Sequence, residues 1–145
     1  MVCSMTSLPG TTYFIISSVD THLNIYDTSG FLSDNFDPTV YERPSPLIAT
    51  YGEIGEVALH MACGIVGKVP YIAAGGLSGT LHVAKLHPDI VMCTDATSKT
   101  RVVKHLQSLS KEKRFHQVCA HKEAISDLCF IEDLNSVATA SKVIH

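Results

Sequence analysis

Short apolar runs, alternating with polar or small residues and broken by glycine-containing turns, set the pattern of this chain. The clearest stretch is 71–85, YIAAGGLSGTLHVAK. Tyr71, Ile72, Ala73 and Ala74 lead into Gly75-Gly76, Leu77-Ser78-Gly79 follows, and Thr80-Leu81-His82-Val83 alternates again. A period of two marks a strand with one buried face, and glycine supplies the positive φ of a tight turn. This predicts a β-hairpin. The same unit recurs upstream, where 13–18 reads as a strand, Val19-Asp20-Thr21 as a turn, and Leu23, Ile25 and Asp27 alternate with Asn24 and Tyr26. Ser17-Ser18-Val19-Asp20 matches Gly75-Gly76-Leu77-Ser78, and His22-Leu23-Asn24-Ile25 matches Thr80-Leu81-His82-Val83. The chain therefore contains an internal strand–turn–strand repeat.

The remaining pattern fills in around these hairpins. Residues 28–46 hold Gly30, Pro38, Pro44 and Pro46 and are predicted as a loop. Residues 47–51 and 56–62 predict two short strands around Gly52 and Gly55, and 64–70 the turn into the central hairpin. After a His87-Pro88-Asp89 turn, 90–93 reads as an outer strand. The period then changes: in 98–116, Val102, Leu106 and Leu109 fall at helical spacing with Lys and Arg on the other face. That predicts a short basic amphipathic helix or a mobile insert. In 117–145, Val118 ends one strand and Ala120-His121 turns. Ile125, Leu128 and Phe130 form the next strand, 132–135 a turn, and 137–141 a third strand.

Composition adds limits. The 145 residues suffice for one domain with a core. No apolar run is long enough to span a membrane, and the N-terminus lacks the basic and apolar regions of a secretory signal. Cys3, Cys63, Cys93, Cys119 and Cys129 are odd in number and scattered through apolar patterns, so they read as buried thiols in a reducing compartment. Charges between Asp20 and Glu56 are acidic apart from Arg43, while those between Lys99 and Arg114 are basic apart from Glu112. This predicts two electrostatic faces. Lys99, Arg101, Lys104, Lys111, Lys113 and Arg114 form a candidate contact surface for nucleic-acid phosphates, or simply a solvated loop.

Candidate chemistry is sparse. Cys119-x-His121 and His60-x-x-Cys63 each lack a second ligand pair, so neither predicts a metal centre. No nucleophile elbow or phosphate loop occurs, and Gly75-Gly76-x-x-Gly79 sits in a hairpin rather than at a helix start. The expectation is a non-enzymatic chain without cofactor, metal or catalytic residues. A small hydrolase or metal enzyme on another β fold is the reading from a different class.

Ala120-His121, Ile125-Ser126-Asp127-Leu128-Cys129-Phe130 and Ala138-Thr139-Ala140-Ser141 look like the first half of one blade of a propeller. Ser17-Ser18-Val19-Asp20 and Ile25-Tyr26-Asp27 look like the second half of another, with Tyr26 in the Trp position. In 71–85, Ser78 takes the Asp position and Ala84 the Trp position. The pattern resembles the WD-repeat β-propeller family, and within it the Polycomb-group members. The resemblance implies an all-β chain encoding a partial propeller of about two and a half blades that stops within a unit. It divides the chain into a blade part at 13–27, a blade at 47–97, the basic insert at 98–116 and a blade part at 117–145.

The resemblance also implies roles for residues. Ser18, Asp20 and Tyr26, and His121 with Ser141, would be what remains of the hydrogen-bond network that holds a blade together. The implied function is a protein-interaction scaffold in the nucleus or, alternatively, the cytoplasm. By resemblance its partners are the catalytic subunit of a histone methyltransferase and a histone tail. The family's methyl-lysine cage would place one aromatic before Met1 and another where this chain has Val57 or Ala58, with Tyr51 as a nearby ring.

Overall fold

Alternation along the first hairpin turns Tyr13, Ile15, Leu23 and Ile25 to one side, and all four are buried. Around them the described residues fold into antiparallel sheets. The computed structural model describes residues 1–31, 37–39, 47–51, 54–86 and 115–142, and no α-helix occurs among them. The first sheet is a four-stranded meander of β1 (Val2–Ser7), β2 (Tyr13–Ser18), β3 (Leu23–Asp27) and β4 (Leu47–Tyr51). The second is a four-stranded meander of β5 (Ala58–Val66), β6 (Val69–Gly76), β7 (Thr80–Lys85) and β8 (His116–Cys119). The third has two strands, β9 (Ile125–Ile131) and β10 (Ser136–Ser141).

The sheets stack face to face, with the second in the middle. β1 and β2 pack on β5, while β9 packs on β5 and β6. Two apolar clusters fill the gaps. One joins Tyr13, Ile15, Leu23 and Ile25 to Ala58, Met61, Ile72 and Ala74, and the other joins Ala73 and Leu81 to Ile125 and Leu128. Ile72 and Ala74 thus face the first sheet while Ala73 faces the third. Burial on both faces explains why β6 reads as an unbroken apolar and small run rather than an alternating one. Small residues also set the spacing: a side chain at Gly64 would collide with Phe130, and one at Gly75 with Ile125.

All three sheets begin with the same irregularity. Val2 pairs with Ser18 and Ser4 with Ser17, leaving Cys3 as a bulge. Ala58 pairs with Gly76 and His60 with Gly75, leaving Leu59. Ile125 pairs with Ser141 and Asp127 with Ala140, leaving Ser126. A bulge inserts one residue into a strand and shifts its alternation by one. That is how Ala58 and Met61, on either side of Leu59, come to share one cluster. The register makes Ser18, Gly76 and Ser141 equivalent, and the first two are the pair that the sequence repeat aligns.

Several details depart from the sequence reading. β1 carries an irregular mix of polar and apolar residues that alternation does not detect. β4 pairs with β3, so 47–51 belongs to the first sheet and not to a unit spanning 47–97. The turn between β5 and β6 is confined to Gly67-Lys68, with Gly67 at φ 64°. Gly64, Ile65, Val66, Val69 and Pro70 are strand residues, because β5 pairs with β6 along that whole length. Cys3 and Cys63 are partly buried, but Cys119 and Cys129 are exposed. Both lie in the outward-facing parts of β8 and β9, where no further sheet among the described residues covers them. Cys93, the strand predicted at 90–93 and the 98–114 part of the insert lie outside the described residues; His116 opens β8.

Candidate functional site

Each sheet ties the end of its second strand to the residues just ahead of its first. In the first sheet Val19 N–H donates to the Met1 carbonyl at 3.0 Å, and in the second Leu77 N–H donates to the Val57 carbonyl at 3.3 Å. In the third the Ser141 hydroxyl reaches the carbonyls of Ala124 at 2.9 Å and Glu123 at 3.0 Å. Ser18, Asp20, His121 and Ser141, singled out in the sequence, gather at these ties.

In the first sheet the Ser18 hydroxyl donates to the Asp20 carboxylate, which also accepts the His22 N–H at 3.2 Å. The Ser18 bond, followed by that of the His22 N–H, holds the Asp20 carboxyl below its usual range. Tyr26 lies elsewhere. It sits opposite Phe14 in β3, whereas Ser18 ends β2 beside the start of β3, so the register keeps Tyr26 at the other end of the hairpin. Thr21, in the turn, adopts φ 67°. In the third sheet His121 Nε2 and the Thr139 hydroxyl are 2.9 Å apart. His121 and Ser141 therefore both tie the 120–124 connection to β10, but through separate bonds.

The second sheet holds the most connected cluster, and its centre is Glu56. Ser78 N–H donates to Glu56 Oε2 at 2.7 Å, and the Ser78 hydroxyl donates to Oε1 at 2.9 Å. His82 Nε2 lies 2.8 Å from the same Oε1. A carboxylate only accepts, so Nε2 carries the proton, and Thr80, 2.8 Å from Ser78 Oγ, donates to that hydroxyl. Every bond in the chain points toward Glu56. Burial opposes its charge, but the bonds from His82 and Ser78 outweigh that and leave the carboxyl below its ordinary value of 4.5. His82 is 2% exposed, and among the described residues its buried Nδ1 has no hydrogen-bond partner.

Glycine makes room for this carboxylate, because a side chain at Gly76 would occupy the space of the Glu56 carboxyl. The two turns solve one problem differently. The first sheet has Ser18 on the strand and Asp20 in the turn. The second has Gly76 on the strand, Ser78 in the turn, and the carboxylate brought in from the preceding connection. Sequence reading missed Glu56 for that reason: the repeat aligned turn with turn, and the acid lies outside both. Gly76, where the first unit has a hydroxyl, was the available signal. Gly79, at φ 82°, completes the turn, and its carbonyl accepts the N–H groups of both Ala120 and His121 at 3.1 Å.

Chemically the cluster is a clamp. Its order is hydroxyl, carboxylate, imidazole, whereas an activated serine needs the imidazole between the other two. No group of three or more metal-ligating side chains occurs among the described residues. Lys99, Arg101, Lys104, Lys111, Lys113 and Arg114 lie outside the described residues. No helix among the described residues is long and apolar enough to cross a membrane. No protein-family model and no curated protein sequence matches this chain.

Proposed function

We propose that this chain is a segment of a WD-type β-propeller and works as a non-enzymatic scaffold for protein partners. The observation that carries this reading is the repetition of one unit. Successive antiparallel sheets each start with a bulged first strand, each tie their second strand to the preceding connection, and stack through their first strands. Radial repetition of such sheets is the construction principle of propellers. The polar side chains at the turns are occupied in holding the units together, which favours a scaffold over a hydrolase.

Within that family the reading is the Polycomb-group protein embryonic ectoderm development, known as extra sex combs in flies. It is a WD-repeat subunit of the Polycomb repressive histone methyltransferase complex, acting in chromatin silencing in the nucleus. Tyr26 in the Trp position and the Gly75-Gly76 hairpin favour it. A scaffold of another nuclear or cytoplasmic assembly is the second reading. It is favoured by the cage positions, since Val57 and Ala58 carry no ring and Ala58 is buried.

Calorimetry separates the two readings. Each aromatic face contributes about 0.5–2 kcal/mol to holding a methylated ammonium, too little from one ring to offset ordering a flexible tail. The chain is expected to bind a helical peptide from the methyltransferase catalytic subunit, and to show no methylation-dependent affinity for a histone-tail peptide. A folded chain that ignores the helix overturns the Polycomb assignment. Micromolar, methylation-dependent binding of the tail overturns the cage reading instead.

A further inference from the structure

The two junctions between sheets are fastened by different chemistry. Between the first and second sheets, the Ser17 hydroxyl donates to the Ala58 carbonyl at 2.8 Å within the larger apolar cluster, and neither group titrates. Between the second and third, the middle is apolar, with Ile125 and Leu128 against Gly75 and Phe130 against Gly64. The ends of this junction are held by carboxylates. At one end Ile65 N–H donates to Glu132 Oε1 at 3.2 Å. At the other, Glu56 clamps the 76–80 turn through Ser78, and the Gly79 carbonyl of that turn holds the N–H groups of Ala120 and His121.

We propose that the β9–β10 sheet is released from the second sheet by acid while the first two sheets stay docked. A carboxylate accepts hydrogen bonds roughly twice as strong as those of a neutral acceptor. Protonating Glu56 weakens the bonds from His82 Nε2–H and from both donors of Ser78. The turn then loosens, and with it the anchorage of Ala120 and His121. At the opposite end, the Glu132 carboxylate and the Ile65 N–H supply the remaining polar tie.

The direction follows from Glu56. Its folded carboxyl titrates below 4.5, so its stabilising contribution is complete above that value and is lost as pH falls through the folded pKa. The release belongs to that acid window. The titratable neighbours are His82 on β7, His121 and Glu123 on the connection into β9, and Asp133 beside Glu132. Of these, His121 ties the 120–124 connection to Thr139 on β10 by a bond that does not involve either carboxylate. An H121Q chain separates that bond from the effect of the carboxylates.

Amide exchange of the whole chain, read strand by strand as protection between about pH 7 and pH 3.5, is the test. Ser78, Ala120, His121 and β9 are expected to lose roughly tenfold or more of their protection before β2 and β3 lose any. The same order is expected in H121Q. In E56Q/E132Q the third sheet should already be poorly protected at neutral pH, with no further acid step. Simultaneous loss in all three sheets overturns the proposal, as does an acid step that survives in the double variant. If that variant does not fold, carbon NMR of the Glu56 carboxyl in the unaltered chain decides. Its titration midpoint must coincide with the loss of protection at Ala120 and His121, and a midpoint that differs overturns the proposal.

Discussion

Replacing Gly75 with alanine tests whether the second and third sheets are as closely packed as described. The new Cβ would lie 2.6 Å from Ile125 Cγ2, 2.8 Å from Ile125 Cβ and 3.0 Å from Leu128 Cδ2. Ile125 is 0% exposed and Leu128 8%, so neither side chain can swing into solvent. Overpacking of this kind costs about 1–3 kcal/mol. The substitution also restricts the unfolded chain, which stabilises by about 0.4–1 kcal/mol. The clash is the larger effect, and a net loss of roughly 0.5–2 kcal/mol is expected. Urea unfolding measures it through the midpoint. Ile125→Ala removes the Cγ2 responsible and should itself cost about 2–5 kcal/mol. The double variant should then be more stable than the sum of the single effects by about 1 kcal/mol. An unchanged or raised midpoint for Gly75→Ala, with additive behaviour in the double variant, would refute the close approach.

Two further outcomes follow from the turns and the thiols. Thr21 holds φ 67°, where the equivalent turn residue of the second sheet is Gly79; a left-handed conformation costs a β-branched residue about 1–2 kcal/mol. Thr21→Gly, after glycine's own entropy cost of about 0.5–1 kcal/mol, should therefore raise the unfolding midpoint slightly, and a lowered midpoint would contradict the assigned backbone. Burial pushes the Cys63 thiol up to about 12, against a smaller pull from the Thr6 side chain. In mildly alkaline buffer a thiolate-selective reagent should label Cys119 and Cys129 and spare Cys63 until the chain unfolds, as read by peptide mass spectrometry; early labelling of Cys63 would contradict its burial.

The hairpins were legible because their information is local. Alternation in 13–27, and Gly79 between two runs, specify strand and turn without reference to anything distant. The assignment of strands to sheets was not legible, since nothing local to 47–51 decides whether it pairs backward to β3 or forward to β5. The double burial of β6 was likewise hidden: Ala73, Ala74 and Gly75 are small because sheets lie on both sides, and composition alone does not distinguish this from a weak strand. At the site, Ser18 with Asp20 could be found because donor and acceptor share one turn. The Glu56 clamp could not, because its acid comes from the connection ahead of β5 and its imidazole from β7.

The bulges at Cys3, Leu59 and Ser126 act as a frame for the faces of the strands that follow them. What they supply is a count and not a chemistry, so a thiol, an isobutyl group and a hydroxymethyl group serve equally. Losing one of them would leave the residues downstream unchanged in identity but inverted in orientation. Without Leu59, the part of β5 that meets the first sheet would turn toward the third. Substitution at these positions is cheap and deletion is not, so the repeat is recorded in the spacing of the chain even where no residue type is shared.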